Sequence, residues 1–458
     1  MDDNGNIRYR IQDALAGHDA RYIEIRVEEV EGSHIRYRGR ELEEIGHSTG
    51  VGGCVRALSG GWGFVSFNDL EGLRDKVATA VRNARLVGEK DISLAPVEPV
   101  VDSVPPVVVK DPLAVPIRDK KSLLDQYVET IWKVPGVTTS SIRYGDGRRN
   151  RIFSNSEGAY VEQGQVDVSM HLSAAARDGG EVQQSSLSLG SNGDYSFVET
   201  LHEDAETMAR RAVDLVKAPQ VKGGEYTVVL DPVLAGVFIH EAFGHLSEAD
   251  HVYENQQLRD IMAMGRRFGG PHINVVDGAA VPGLRGSYKY DSEGVPATKT
   301  YLLREGHLVG RLHSRETAAA MGEAPTGNAR AINSQFPPIV RMTNTYIEPG
   351  KTTFQDMISD IKDGLYVRNW YGGMTTMEQF TFSAGESFAI RNGKVEELMR
   401  PVLLSGNLFT TLENLDSIGD DLDMNQGGGC GKSGQSPLPV SNGSPHIRIR
   451  KCLIGGTA

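Results

Sequence analysis

The run Tyr226-Thr227-Val228-Val229-Leu230-Asp231-Pro232-Val233-Leu234-Ala235-Gly236-Val237-Phe238-Ile239-His240-Glu241-Ala242-Phe243-Gly244-His245 changes period in its middle and sets the architecture of the C-terminal half. Residues 226–230 are aromatic and β-branched and read as a strand. Asp231-Pro232 then supplies an N-cap carboxylate and a first-turn proline. From 233 to 247 the chain reads as a helix, with Leu234, Val237, Phe238 and Ile239 ready to bury it. A buried helix that carries two histidines and Glu241 needs a reason for those polar groups.

Metal chemistry is one such reason. Neutral imidazoles are common zinc ligands, and a neighbouring carboxylate takes a proton from metal-activated water. The familiar helical pattern spaces the histidines four apart, on one face. His240 and His245 are five apart. In a regular helix that spacing turns the two side chains apart by roughly 140°. One inserted residue, a π-bulge, brings them back together. Gly244, next to the second histidine, would ease the distortion. His-Glu-x-x-x-His alone arises by chance in roughly one chain in fifty of this size, so it is a weak motif, and histidines that merely pack inside the helix are the competing reading.

A third ligand must come from elsewhere. Cys430, within Gly427-Gly428-Gly429-Cys430-Gly431-Lys432, is the best candidate. The glycines would let backbone approach a metal closely, and Lys432 would favour the thiolate. Cys430-Gly431-Lys432-Ser433 also ends like a phosphate-binding loop. That pattern needs glycine at 426, where Gln426 stands, and a following helix, where Gly434 and Pro437 stand. Cys54, among Val51 and Val55, reads as core.

Working outward, residues 21–30 alternate polar and apolar side chains as a strand does, and 35–38, 50–58 and 63–67 extend an antiparallel sheet. Asp69 looks like an N-cap, with Leu70, Leu73, Val77, Ala80, Val81 and Ala84 following at helical spacing. Six prolines between 96 and 116 mark an extended connector. Helices are expected at 122–133 and 197–217, strands between 138 and 189, and further strands at 300–303, 308–312, 339–347, 380–390 and 446–453. The expected fold is α+β: two domains rich in antiparallel sheet with covering helices, 1–218 and 219–458, the metal-binding helix opening the second.

The chain has 458 residues, 39% hydrophobic and 24% charged, an ordinary globular composition for two or three domains. A net charge of −12 argues against nucleic acid as a partner. No uninterrupted apolar run is long enough to span a membrane, and the acidic, polar start lacks the features of a signal peptide. Three cysteines, 54, 430 and 452, make no disulfide framework and fit a reducing cytoplasm.

With these residues in view, the sequence resembles the TldD family of zinc metalloproteases (TldD/TldE, PmbA-like, the modulator of DNA gyrase family). The resemblance rests on His240-Glu241-Ala242-Phe243-Gly244-His245, Asp291-Ser292-Glu293-Gly294-Val295-Pro296, Pro325-Thr326-Gly327-Asn328, Arg341-Met342-Thr343-Asn344-Thr345-Tyr346, Cys430-Gly431-Lys432-Ser433-Gly434-Gln435 and the terminal Gly455-Gly456-Thr457-Ala458. It spans the C-terminal half and, more loosely, the N-terminal half. There Gly50-Val51-Gly52-Gly53-Cys54-Val55-Arg56 is similar to the family's glycine-rich strand, departing at the cysteine and valine. Residues 420–426 also diverge.

The resemblance implies Zn2+ on His240, His245 and Cys430, with Glu241 as catalytic glutamate. It implies a peptidase acting on unfolded polypeptides or peptide leader segments. It also implies a homodimer or a heterodimer with a TldE-like subunit. Arg341, Asn344 and Tyr346 are candidates for lining a substrate channel, with turn and sheet structure as the alternative. An edge strand of the C-terminal sheet would bind peptide backbone by β-augmentation. Two other readings compete: a cysteine hydrolase using Cys430, and a non-catalytic partner subunit or scaffold.

Overall fold

Alternation along the first strand explains the N-terminal half. The computed structural model describes residues 4–88, 90–376 and 378–455, so residues 1–3 of the acidic start and 456–458 of the terminal motif lie outside it. Strand β1 (Tyr22–Arg38) pairs antiparallel with β2 (Glu41–Ser59), and β2 with β3 (Gly61–Phe67). Then come β4 (Val101–Val104), β5 (Val137–Asn155), β6 (Tyr160–Asp178) and β7 (Glu181–Asn192). The sheet runs β3-β2-β1-β5-β6, with β4 and β7 both on β6.

Four helices cover one face: α1 (Asn4–Leu15), α2 (Leu73–Leu86), α3 (Ile117–Trp132) and α4 (His202–Lys217). Ile23, Ile25 and Val27 meet Ile11, Val77 and Ala80 under α1 and α2. Ile35, Ile142 and Leu172 meet Leu124, Tyr127 and Ala209 under α3 and α4.

The opposite, polar face of β1 is equally buried: Glu24, Arg26 and Glu28 are 1%, 0% and 3% exposed. The C-terminal half covers it, and the charges are carried in by pairing. Arg56 binds Glu24 (3.0 Å) and Glu293 (2.5 Å), and Arg26 donates to the carbonyl of Phe336 (2.9 Å).

Several boundaries differ from expectation for local reasons. Helix α1 carried no sequence signal strong enough to be read. Helix α2 begins at Leu73, not after Asp69, because Gly72 in a left-handed conformation (φ 56°) turns the chain into it. Asp69 instead accepts from Glu71 N and Lys76 Nζ, forming its own turn. The connector is more than a spacer, since its proline-free residues Val101–Val104 lie parallel on β6.

In the C-terminal half β8 (Gly224–Leu230) leads into α5 (Pro232–Ile239). A six-stranded sheet follows, in order β11-β10-β9-β14-β23-β20. Its members are β9 (Val275–Gly278), β10 (Lys299–Arg304), β11 (His307–Leu308), β14 (Asn344–Ile347), β20 (Asp423–Asn425) and β23 (Ser441–Ser444); β12 (Ala329–Arg330) and β13 (Ile339–Val340) pair apart. The expected strand at 339–347 thus divides around Arg341 and Met342.

A second sheet holds β15 (Asp363–Thr376), β16 (Gln379–Arg391), β17 (Lys394–Met399), β18 (Leu403–Asn407), β19 (Leu415–Ile418) and β24 (Ile447–Gly455) together with β8. Its order is β15-β8-β24-β18-β16, and β16 returns to β15, so five strands close a ring. Helix α5 lies against this ring, with Phe238 edge-on to Phe380 and Phe382. The hairpin β21 (Gly429–Lys432) and β22 (Gln435–Pro439) completes the half. Among the described residues no strand pairing joins the N-terminal sheet to the C-terminal ones. The architecture is α+β, built largely from antiparallel sheet. Among the described residues no helix is long and apolar enough to cross a membrane.

Candidate metal centre

Asp231 caps α5 by accepting from Leu234 N (2.9 Å), with Pro232 in the first turn. Every residue from Leu234 to Ile239 is buried. At Gly236 a Cβ would stand 3.1 Å from the backbone of Asn442 and Gly443, so glycine lets β23 lie against the helix. The helix then widens. Residues His240–Gly244 form a π turn, in which His245 N donates to His240 O across five residues, and His245–Ser247 tighten to a 3-10 turn. One extra residue per turn is what brings two side chains five apart onto one side. The imidazole centroids are 5.3 Å apart, with ring planes at 79°.

Gly244 serves this turn differently from its expected role. Its φ of −58° is ordinary right-handed helix, open to any residue. Glycine is needed because a Cβ there would stand 2.0 Å from Met342 Sδ.

Cys430 arrives from a separate direction. Ser433 (φ 50°) and Gly434 (φ 76°) make the tight turn between β21 and β22, and Cys430 faces Leu438 across the hairpin. Arg341, fully buried, donates to Cys430 O (2.7 Å) and Gln435 O (3.0 Å) and so ties the hairpin's two strands. The sequence suggests that the glycines before Cys430 let backbone approach a metal; Gly427 packs instead on Ser188, where a Cβ would stand 2.0 Å from its carbonyl oxygen.

The structure brings His240, His245 and Cys430 together. Their donor atoms all lie within 4.8 Å of one another, and Cys430 Sγ is 3.5 Å from His245 Nε2. Burial opposes ionisation of the Cys430 thiol, but the two imidazoles beside it outweigh that and bring it down to about 4. Lys432, expected to favour the thiolate, is engaged elsewhere, with Glu248 (3.1 Å), Asp250 (2.7 Å) and Val340 O (2.9 Å).

Glu248, not singled out from sequence, is the second support of the site. Fully buried, its Oε2 meets His245 Nδ1 at 3.0 Å, and its Oε1 accepts from Met342 N (3.2 Å). Burial would raise its carboxyl, but Lys432 and then His245 hold it down at about 2. The signal was present as His-x-x-Glu at 245–248, a spacing that places the carboxylate one turn from the ring. Burial likewise works against a charged His245, yet Glu248 and Cys430 raise its pKa well above the usual imidazole value.

Glu241 is partly exposed, its Oε2 4.0 Å from His245 Nε2. The other residues read from sequence are buried. Asn344 is fully buried and donates to Gly278 O (2.8 Å) and Ser287 Oγ (3.0 Å). Tyr346, 8% exposed, lies on β14 between β9 and β23. With Arg341 committed to the hairpin, all three have structural duties. The closed ring also leaves its principal strands no free edge; free edges among the described residues of this half are β17 and β19 on the ring, β11 and β20 on the six-stranded sheet, and the outer sides of the β12-β13 and β21-β22 pairs.

The donor set fits a metal. His240 Nδ1 is a buried ring nitrogen with no hydrogen-bond partner, and a thiolate between two imidazoles is a soft, nitrogen-and-sulfur set. Tetrahedral zinc with bonds of about 2.0–2.3 Å spaces its donors about 3.3–3.8 Å apart, a range that includes the Cys430–His245 distance of 3.5 Å. The Glu248–His245 contact is the outer support that metal-bound imidazoles ordinarily have.

Comparison with known proteins places the chain in a family. Residues 223–456 match the model described as PmbA/TldA metallopeptidase C-terminal domain, 23–84 match domain 1, and 110–218 match the central domain. A metalloprotease of Synechocystis sp. is 46% identical over 442 residues, covering 96% of each chain. A protein named zinc metalloprotease TldD homolog, from Saccharolobus solfataricus, is 33% identical over 70% of this chain and 72% of its own. Among solved structures, TldE from Thermococcus kodakarensis aligns with a TM-score of 0.76 at 18% identity, covering 99% of both chains. A putative modulator of a DNA gyrase from Thermotoga maritima aligns at 0.78 and 20%, covering 95% and 96%.

Proposed function

The chain belongs to the TldD family of PmbA/TldA metallopeptidases, and from that premise we propose that it is a zinc-dependent peptidase cleaving unfolded polypeptides or peptide leader segments. The observation that carries this is the π turn: it aligns His240 and His245 on the sulfur of Cys430, giving three protein donors. His240, His245 and Cys430 would hold the ion. Zinc held by three protein ligands supplies Lewis acidity, lowering the pKa of water and polarising a carbonyl.

The chain's own residues do the rest. Glu248 fixes the His245 ring through Nδ1 and leaves Nε2 for the ion. Lys432 neutralises Glu248, so that carboxylate supports the ring without adding net charge. Glu241, partly open to solvent beside His245, takes the proton of the attacking water on its carboxylate and delivers it to the leaving amine nitrogen. Assembly with a TldE-like subunit or with a second copy belongs to this reading, and three free cysteines suit a reducing cytoplasm.

Metal analysis of the purified protein, beside peptidase assays with and without a candidate partner, tests the reading. Glu241→Gln is expected to keep its zinc and lose on the order of 10²–10⁴ in kcat. Full activity in that variant would refute the role of Glu241. A second reading has one observation in its favour: a low-pKa thiol beside an imidazole is also a cysteine hydrolase's pair. That enzyme would keep working after chelation, whereas the metallopeptidase stops and recovers on adding zinc.

A further inference from the structure

Between the N-terminal sheet and the Cys430 hairpin lies a cavity of about 410 Å3, within the range of small-ligand sites. Four guanidiniums stand in its wall: Arg148, Arg149, Arg151 and Arg330. The carboxylates there are already committed. Asp146 binds Lys120 (2.5 Å), and Asp167 is held bidentate by Arg285 (2.6 and 2.8 Å). Asp291 accepts from the backbone N–H groups of Glu293, Val295 and Ala329, while burial and then Glu293 push its carboxyl well above the usual range, toward the neutral acid. Glu31 stands half in solvent, 3.7 Å from His47.

The cations are not balanced in the same way. Arg148 pairs with Asp111 (2.5 Å) and Arg151 with Glu28 (3.1 Å). Arg149, half-buried, donates to the carbonyl of Ile332 (2.9 Å), and Arg330, 7% exposed, donates to those of Met342 (2.6 Å) and Pro439 (2.7 Å) and lies over the Tyr288 ring, 5.4 Å from its centroid. Among the described residues no carboxylate lies within ion-pair distance of either. Behind them Arg26, with no exposed surface, has Nε and Nη1 without partners. Glu28 acts on Arg149 and Arg26, and Asp277 on Arg330, only from beyond contact distance, so a bound anion would add the direct ion pair these guanidiniums lack. Each also keeps N–H donors beyond its carbonyl bonds, in the planar fork that matches a carboxylate.

The cavity's place says which anion. Leu438 and Pro439, in its wall, lie on β22, and Leu438 is directly opposite Cys430. The pocket therefore adjoins the strand that brings the sulfur to the metal centre. We propose that this cavity is a carboxylate subsite for polypeptide, in which Arg149 and Arg330 hold either the chain's terminal α-carboxylate or an aspartate or glutamate side chain. The inference rests on the peptidase reading for the nature of the ligand, and it makes Arg149 and Arg330 specificity-determining residues.

The test is binding, measured by fluorescence anisotropy on the full-length, zinc-loaded Glu241→Gln protein, which holds substrate without cleaving it. Four labelled peptides of one neutral sequence are compared: free carboxyl terminus, amidated terminus, amidated with an internal glutamate, and amidated with glutamine there. The expected result is a preference on the order of 10- to 100-fold for a carboxylate peptide over its amide counterpart. The first pair reports a terminal carboxylate and the second a side chain.

Adding Arg149→Gln is expected to abolish the preference, and Arg149→Lys to restore part of it, with thermal melts showing each variant folded. If Arg149→Gln does not fold, Arg330→Gln, with Arg330→Lys as its partial rescue, carries the same comparison. Equal affinity for all four peptides, no binding of any, or a preference that survives Arg149→Gln overturns the inference. A protein that discriminates the peptides but cleaves none keeps the subsite and loses the peptidase reading. One that cleaves peptides without regard to carboxylates loses only the subsite.

Discussion

Replacing Gly244 by alanine puts a methyl group where Met342 already sits. The added Cβ would lie 2.0 Å from Sδ, 3.3 Å from Cε and 3.4 Å from Cγ. Carbon-sized atoms rest at about 3.5–4.0 Å, so the sulfur or the π turn must move by roughly 1.5–2 Å. Met342 has no exposed surface and lies in the main C-terminal core, so it has nowhere to swing. Two accounts of the glycine then give opposite signs. If it served backbone freedom, alanine at φ −58° would cost nothing and would gain up to about 1 kcal/mol in helix propensity. If it serves the close approach of Met342, alanine overpacks the core by about 1–3 kcal/mol.

The displacement falls on His245, the next residue, so zinc affinity is expected to drop on the order of 10- to 100-fold. Urea midpoints measure the first effect and chelator competition the second. Met342→Ala alone leaves a cavity costing about 2–5 kcal/mol, but with Gly244→Ala it removes the clash. The double mutant should therefore be more stable than the two single losses predict, by at least about 1 kcal/mol. Strictly additive losses, or a Gly244→Ala protein as stable and as zinc-tight as wild type, would refute the close-approach account.

Glu248→Gln keeps the shape but loses the charge on His245 and Lys432; zinc affinity is expected to fall about 10- to 100-fold by the same competition assay. Because the Glu248 carboxyl is depressed from 4.5 to about 2, its stabilisation is full above pH 4.5 and disappears as pH falls toward 2. Acid titration of the metal-free protein should show that loss, and Glu248→Gln should lack it. Asp231 behaves in the opposite sense. Burial, only partly countered by its bonds to Leu234 N and by Arg368, raises its carboxyl from 3.8 to about 6, so the contribution is present below pH 3.8 and lost as pH rises through 6. Asp231→Asn keeps an N-cap acceptor and is expected to exceed wild type by up to about 3 kcal/mol at pH 8, with little difference near pH 4. Urea midpoints that run parallel across this range would overturn the expectation.

Much of the site was legible because its signals are local. The cap at Asp231-Pro232, the apolar run to Ile239 and the five-residue spacing to His245 each lie within one or two turns. A helix that must align those histidines has few ways to do so, and the π turn is one of them. The errors came where a residue's partner is distant in sequence. From sequence Gly244 eases the bulge, whereas its close partner Met342 is 98 residues away (342 − 244). Lys432 was read as a partner of Cys430, its near neighbour in sequence, but its carboxylates are on the turn after His245. Arg341, Asn344 and Tyr346 carry two readings in sequence, substrate channel or turn and sheet structure, and residue type does not choose between them. Here they are buried between sheets that sequence could not align.

By itself, the sequence determined the strand, cap and helix around His240, the alternation of β1 and the residue types at the centre. Those depend on backbone geometry and on neighbours within a few positions. Only the tertiary structure decided that Cys430 meets the histidines, that Lys432 pairs with Glu248 behind His245, and that the polar face of β1 is buried under the C-terminal half. The physical reason is that ligand convergence, buried ion pairs and close backbone approach are set by packing between segments hundreds of residues apart, where no local period carries information.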